Sequence, residues 1–357
     1  MKGGGEFGRW SGIAALAVVV AAGLSACGAA PPTHPRSTPH ASAHVSAPVA
    51  PVAVTLQYST GFTGVLPLLI ANEAGFYNRA DISANFVATN EAITTCLSGS
   101  ADFCTPSPVV AAEAVSQGEG VQIVMTIQDR ITQSLVVSPK IASGMSSHPG
   151  DFPGVLRDLK GHTIGVTVIG GSPDLDLEYM LKTAGMDPST DVHIVALGTG
   201  GGEAAALKAG EVDAILTFTP VTQLAVQGGY GVNVLDLAKG QGPKALDQPF
   251  VVLACTTLYA KTHSAVARRV VGATAEAMTY IRDPKNRAVV LSDVQNLLPG
   301  ISVSIAKQIV TELSSTMEPG FSDSTLSAVN TVLQTDGILT TPITAGQIVD
   351  RAVVPAG

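Results

Sequence analysis

From residue 52 onward, short β-branched runs alternate with stretches of helical periodicity, and the alternation occurs twice. In the first pass, residues 54–58 read as a strand, 59–64 as a glycine-bearing turn, and the helix from 65 ends at Gly75. A strand over 82–88, a helix over 91–98 stopped by Gly99, a brief strand over 102–104, a helix over 109–117 and a strand over 121–127 follow. The second pass repeats the order: strand 163–168, a Gly170-Gly171 turn, a helix from Pro173 to Gly185, strand 192–197, helix 203–209, strand 212–218 and helix 220–227. Glycine just past a helical run is the expected helix stop. Each later stop opens a matching phrase, Gly99-Ser100-Ala101-Asp102-Phe103 and Gly210-Glu211-Val212-Asp213-Ala214. Two similar βαβ units in one chain account for the pattern.

Two apolar stretches with few turn signals, 134–139 and 249–259, join the halves and are expected to be crossing hinge strands. The rest is helical. Residues 263–283 place Val266, Val270, Ala273, Ala277 and Ile281 on one stripe, and further helices fit 302–317, 322–335 and 344–353. These C-terminal helices are expected to pack on the first half. The resulting expectation is an α/β protein of two lobes, each a mixed sheet flanked by helices: 52–138 with 256–357 as lobe 1, and 139–255 as lobe 2.

The phrase around the second glycine turn is the most suggestive. Thr163 to Val168 runs into Ile169-Gly170-Gly171, with Ser172 placed to cap a helix, Pro173 at its first position and Asp174 at the positive end of its dipole. Spare amides at such a turn suit an anion or a polar ligand. The acids Asp174, Asp176 and Glu178 crowd the same helix start and pull the other way, towards dipole complementation or a cation partner.

With 357 residues, 46% hydrophobic and 13% charged, the chain has room for two domains and a large core. A net charge of −8 without a basic cluster argues against a nucleic-acid partner. The N-terminus reads as a targeting segment: Lys2 and Arg9, then an apolar run over 13–24 that is short for a membrane span. Its end, Leu24-Ser25-Ala26-Cys27, resembles a bacterial lipobox, which implies a signal peptide over 1–26 and lipid on Cys27. Residues 27–51, rich in Pro, Ser and Ala with three His, read as a tether that holds the fold off the extracytoplasmic face of the cell membrane. In that compartment Cys96 and Cys104 form the short-range disulfide candidate, with Cys255 buried and free.

Enzyme signatures fail in turn. There is no Gly-x-Ser-x-Gly, His-Glu-x-x-His or Walker A sequence, and Glu203 stands where a dinucleotide fingerprint from Gly198 needs its third glycine. Ser304-Ile305-Ala306-Lys307 lacks the accompanying motifs of penicillin-recognising enzymes, and His148, His162, His193 and His263 show no ligand spacing. No catalytic residue, metal or cofactor is expected. What remains is a set of strand-end turns rich in hydroxyls and amides, where ligands of open α/β sheets bind.

The phrases at Pro67 to Gly75-Phe76-Tyr77, Gly99 to Phe103, Asp158-Leu159-Lys160-Gly161 with Ile164-Gly165-Val166, and Gly210 to Ala214 together resemble the periplasmic solute-binding lipoproteins of ABC importers, in the alkanesulfonate, nitrate, taurine and thiamine-precursor branch. The resemblance implies a type II periplasmic-binding-protein fold and a monomer that closes on a small polar or anionic organic solute. It implies delivery of that solute to an ABC permease and its ATPase. It would place binding residues at Thr60, Gly61, Phe62, Asn90, Thr105, Ser107, Gly171, Ser172 and Thr219. The chain past the signal has no Trp, so a strongly aromatic pocket is not expected, and the Cys and His clusters of pyrimidine-synthesising relatives are absent. An enzyme of the same fold acting on a small metabolite, or a receptor coupled to a signalling protein, are the alternative functions.

Overall fold

The computed structural model describes residues 50–198 and 201–355. The expected signal peptide, Cys27 and nearly all of the expected tether lie outside the described residues, as does Thr199-Gly200 of the glycine run. The described residues form one compact unit.

Two sheets organise that unit. In the first, β1 (Val52–Tyr58) pairs in parallel with β2 (Ile82–Ala88), and β3 (Val121–Gln128) pairs antiparallel with the strand Val251–Thr256. Single-residue bridges join the two ladders, Leu56 with Phe103 and Cys104 with Ala254. The second sheet is built from β4 (Ser134–Val137), β5 (Thr163–Val166), β6 (His193–Ala196), β7 (Ala214–Thr217) and β8 (Val232–Asp236), in the order β6-β5-β7-β4-β8. Its β4 runs antiparallel to both neighbours, which makes the sheet mixed. Both central strands β4 and β7 are buried throughout, so the sequence offers apolar runs there rather than alternation. The strand Val251–Thr256 is β9.

The pairing places both expected crossing strands within sheets. Residues 134–137 lie inside the second sheet, and 251–256 inside the first, so the chain crosses at 129–133 and again at 237–250. An apolar run in an open sheet and an apolar run between sheets look alike in sequence; the hydrogen-bond partners decide. The crossings hold each other through Phe250 N–H to the Gln128 carbonyl at 2.9 Å and Ile131 N–H to the Gln248 carbonyl at 3.0 Å.

Helices cover the sheets. Among them are α1 (Leu66–Glu73), α2 (Ala92–Leu97), α3 (Pro108–Ser116), α4 (Ser172–Thr183), α5 (Ser264–Arg282), α6 (Val303–Ser315) and α7 (Asp323–Thr335). The stripe read in the sequence of α5 is its buried face: Val270, Ala273, Ala277 and Ile281 all sit in the core, and α5 packs on α1. The C-terminal helices are not confined to the first sheet, because α7 touches both α3 and α4, and Lys182 Nζ reaches Asp336 Oδ1 at 3.0 Å. The expected last helix is a single turn, Ala345–Ile348, after which Val349 bridges to Ile123 and extends the first sheet.

Cys96 on α2 is bonded to Cys104 at the seam between the two ladders, with Cα atoms 5.9 Å apart, and Cys255 is buried and unpaired. Closing a loop of eight residues restricts the unfolded chain by about 2.5 kcal/mol. The double variant Cys96→Ser/Cys104→Ser is therefore expected to lose stability of that order in urea titration. Equal midpoints would show that the bond contributes nothing.

Candidate functional site

A cavity of about 330 Å³ opens between the two sheets, where the strand-end turns of both converge. Its first wall comes from the turns after β1, β2 and Cys104. Gly61 adopts a left-handed φ of 73°, which lets the chain reverse after Thr60. The Thr60 N–H donates to Asn90 Oδ1 at 3.1 Å, locking two turns together. Beneath them lies Gln57, fully buried in β1. Its Nε2 donates to the Thr89 carbonyl at 2.6 Å, and its Oε1 accepts from the Thr105 N–H at 2.8 Å and the Thr105 hydroxyl at 3.1 Å. One amide thus sets the relative positions of the second and third turns. Ser107 is the N-cap of α3, accepting from Val110 N–H at 3.3 Å.

The second wall is the segment 167–173, leading into α4. Here the expected cap is shifted: Gly171 occupies the N-cap, with no side-chain cap bond, and Ser172 opens the helix. The amide of Gly170 is taken by Asp174 Oδ2 at 2.8 Å. Ser172 Oγ turns along the helix and donates to Asp176 Oδ2 at 2.9 Å, an atom that also accepts from Gln133 Nε2 at 2.8 Å. Asp176 is completely buried, and burial pushes its carboxyl up to about 7, against the lowering by Ser172 and Gln133. Burial also raises Asp174 above the usual carboxylate range. Glu178 pairs with Lys182 at 3.1 Å. The three acids therefore have three separate duties, and among the described residues no group of His, Cys, Asp and Glu is placed to hold a metal ion.

Three phenylalanines form the base. Phe62 meets Phe218 edge-on at 4.7 Å between centroids and Phe250 at 5.0 Å, and all three are nearly buried. Gly64 makes room for this arrangement, since a Cβ there would lie 2.3 Å from Phe62 Cζ and 2.5 Å from Gln128 Oε1.

Of the residues the sequence points to, Thr60, Phe62, Asn90, Thr105, Ser107, Gly171 and Ser172 line the cavity together. Gly61 shapes the turn without lining it. Thr219 does not line it either: its hydroxyl donates to Glu312 Oε2 on α6 at 2.5 Å, and its carbonyl accepts from Thr63 Oγ1 at 3.2 Å, so it ties the end of β7 to the first sheet's side. Burial holds Glu312 up to about 7. Phe218 lies in the strand-end turn 217–220 that the sequence marks as a ligand-binding place, whereas Phe250 as lining has no local signal in the sequence, and the lack of Trp argues against an aromatic pocket. Gln57 had one: an amide in a strand otherwise apolar or β-branched at alternate positions.

The charge of the lining is decisive for chemistry. Glu91 is the one ionisable side chain among the lining residues, and no Lys, Arg or His faces the cavity. Strong anion sites use Arg or Lys, and an amide already bonded to Asp174 cannot replace them. Among the lining hydroxyls, that of Ser172 is bonded to a carboxyl, the buried Asp176. Hydroxyls and edge-on phenyl rings grip a small, uncharged organic molecule by shape and a few hydrogen bonds.

The family model described as the NMT1-like family matches residues 50–293. No curated protein sequence matches. Among solved structures, the chain is similar to the alkanesulfonate-binding protein SsuA from Xanthomonas axonopodis pv. citri bound to MOPS, at 15% identity and a TM-score of 0.66, covering 85% of this chain and 99% of that one. It is similar to the periplasmic nitrate-binding protein NrtA from Synechocystis PCC 6803, at 14% identity and a TM-score of 0.67, covering 85% and 87%. The desulfurization enzyme DSZB has the same fold, at 17% identity and a TM-score of 0.58, covering 83% and 95%. The periplasmic-binding-protein fold is common to all three and to this chain.

Proposed function

The chain belongs to the NMT1-like family, and from that premise we propose that it is the extracytoplasmic substrate-binding lipoprotein of an ABC importer. The two sheets are the cores of two lobes that swing about the crossings at 129–133 and 237–250 and close on a solute. Lipid on Cys27 tethers the monomer, and the permease with its ATPase takes the solute over. The observation that carries this reading is the cavity itself, walled by strand-end turns of both sheets. The solute is a small organic molecule without negative charge, because Glu91 is the one ionisable side chain in the lining. That separates it from the alkanesulfonate-binding SsuA and the nitrate-binding NrtA. The fold similarity to DSZB favours an enzyme as the second reading, and the Ser172 hydroxyl on the Asp176 carboxyl is the pair such an enzyme would use.

A thermal-shift screen of neutral aromatic and heterocyclic compounds beside alkanesulfonates and nitrate tests both points. A ligand at a hundred times its Kd adds about 2.7 kcal/mol, or about 5 °C for a fold of this size. A neutral compound is expected to give that shift and to be recovered unchanged. A comparable shift with a sulfonate would overturn the solute class, and conversion of the bound compound would make the protein an enzyme.

A further inference from the structure

Two buried glutamines stand at the ends of the first crossing, Gln128 closing β3 and Gln133 leading into β4. Each gives its Nε2 to a carboxyl: Gln133 to Asp176 Oδ2 of α4 at 2.8 Å, and Gln128 to Glu312 Oε1 of α6 at 3.5 Å. Each carboxyl also accepts a hydroxyl from the side of the second sheet. Ser172, in the cavity wall, donates to Asp176, and Thr219, past the end of β7, donates to Glu312. The Gln133 carbonyl accepts from the Leu237 N–H at 3.0 Å, so the second crossing joins the same network. Three buried atoms in it have no partner: Gln128 Oε1, Gln133 Oε1 and Asp176 Oδ1. Buried polar atoms are almost always paired, and these three are acceptors, so the network is short of donated protons. A proton on Asp176 makes a donor beside the amide that already bonds its other oxygen, and a proton on Glu312 does the same beside Gln128.

The surrounding charges do not favour the ionised forms. Of the elements packed on α4, α7 ends at Asp336, which Lys182 already pairs, α3 carries Glu113 as its one ionisable side chain, and β7 carries none. Asp174 and Glu178 on α4 itself are acids. Of the helices packed on α6, α5 turns Arg282 to Glu318, and Arg287–Leu297 turns Arg287 to Thr311. Lys307 of α6 is exposed, Arg130 of the crossing stands beside Asp129, and the charge that acts on Glu312 is the acid Asp236 of β8. We propose that Asp176 and Glu312 are protonated in this arrangement and clasp the hinge at both ends of the first crossing, and that loss of the two protons lets the lobes part. This rests on the swing of the lobes inferred above and adds its regulation: the closed cavity is kept in acidic solution and given up in alkaline solution. Burial lifts both carboxyls to about 7, which sets where the change falls.

Small-angle scattering of the purified chain at about pH 5 and about pH 9, with circular dichroism to show that it stays folded, is the test. The radius of gyration, roughly 20 Å for a compact chain of this length, is expected to grow by about 1 Å at the higher pH. Asp176→Asn/Glu312→Gln keeps the shape of the neutral acids and should hold the smaller radius at both pH values. Glu203→Gln removes a carboxyl that is also pushed up, to about 8, but is bonded to Thr217 and to neither crossing, so this variant should open as the wild type does. Equal opening of the double variant overturns the proposal. The carboxyl 13C shifts of Asp176 and Glu312 in the wild type separate the clasp from the swing, and they decide should the double variant not fold. Ionisation of both in step with the radius supports the clasp. Carboxyls already ionised at about pH 5 with the lobes together overturn the clasp and leave the swing standing, whereas ionisation of both at constant radius overturns the swing as well.

Discussion

Raising the pH from about 5 to about 8 is expected to destabilise the fold by an order of a few kcal/mol, a fall in melting temperature of roughly 5–10 °C. Burial pushes three carboxyls far up: Asp176 and Glu312 to about 7 and Glu203 to about 8. Each has one or more hydrogen-bond donors, Ser172 and Gln133 on Asp176, Thr217 on Glu203 and Thr219 on Glu312, but no cation paired with it. In the unfolded chain such groups lose their protons near pH 4. Between that pH and about 7 the folded chain holds protons that the unfolded chain has released, so stability declines as pH rises. The contribution is complete below the unfolded values and gone above the folded ones. Asp187, Asp191 and Asp213, held low by their hydrogen bonds, act in the opposite sense, but only in more acidic solution. Melting curves over this range check the sign. Asp176→Asn and Glu203→Gln should each flatten the slope, while a melting temperature that rises with pH would mean these carboxyls are ionised where they lie.

Gly64→Ala is expected to have the largest effect on binding. The new methyl would stand within 2.5 Å of two Phe62 ring atoms and of Gln128 Oε1, so the ring must leave its place. Phe62 is the middle of the phenylalanine base, touching both Phe218 and Phe250, and its displacement fills or reshapes the cavity. Overpacking of this kind costs about 1–3 kcal/mol of stability. The affinity for the solute found by thermal screening should fall by at least about tenfold, the weight of one well-placed contact group. Calorimetric titration of the variant checks this. Unchanged affinity would mean that Phe62 is scaffold rather than part of the binding surface.

The turns that meet in the cavity were readable because turn chemistry is local. A run of β-branched residues, a glycine with left-handed φ and a hydroxyl at a helix start are signals within six residues, and they placed Thr60, Thr105, Ser107 and Gly171 on one cavity wall or the other. The same local logic failed for Ser172, where Asp174 reaches back to Gly170 and leaves the serine to bond Asp176. Which of two nearby oxygens satisfies an amide depends on side-chain rotamers, and the sequence pattern is silent on those. Thr219 failed for a different reason. Its hydroxyl donates to Glu312, 93 residues away, and its carbonyl accepts from Thr63, 156 residues away; of its partners only Gln223, whose Nε2 donates to the hydroxyl, lies in the same window of sequence.

By itself the sequence determined the alternation of strands and helices, the two matching halves, the helix stops and the amphipathic stripe of α5, because periodicity and backbone preference act over a few residues. Only the tertiary structure decided the rest. It put residues 134–137 inside the second sheet, gathered Phe62, Phe218 and Phe250 into one base, and dispersed the acids of α4 to separate partners. Those outcomes rest on strand partners and buried hydrogen bonds between distant segments, where burial favours pairing of polar groups and the chain order does not say with which.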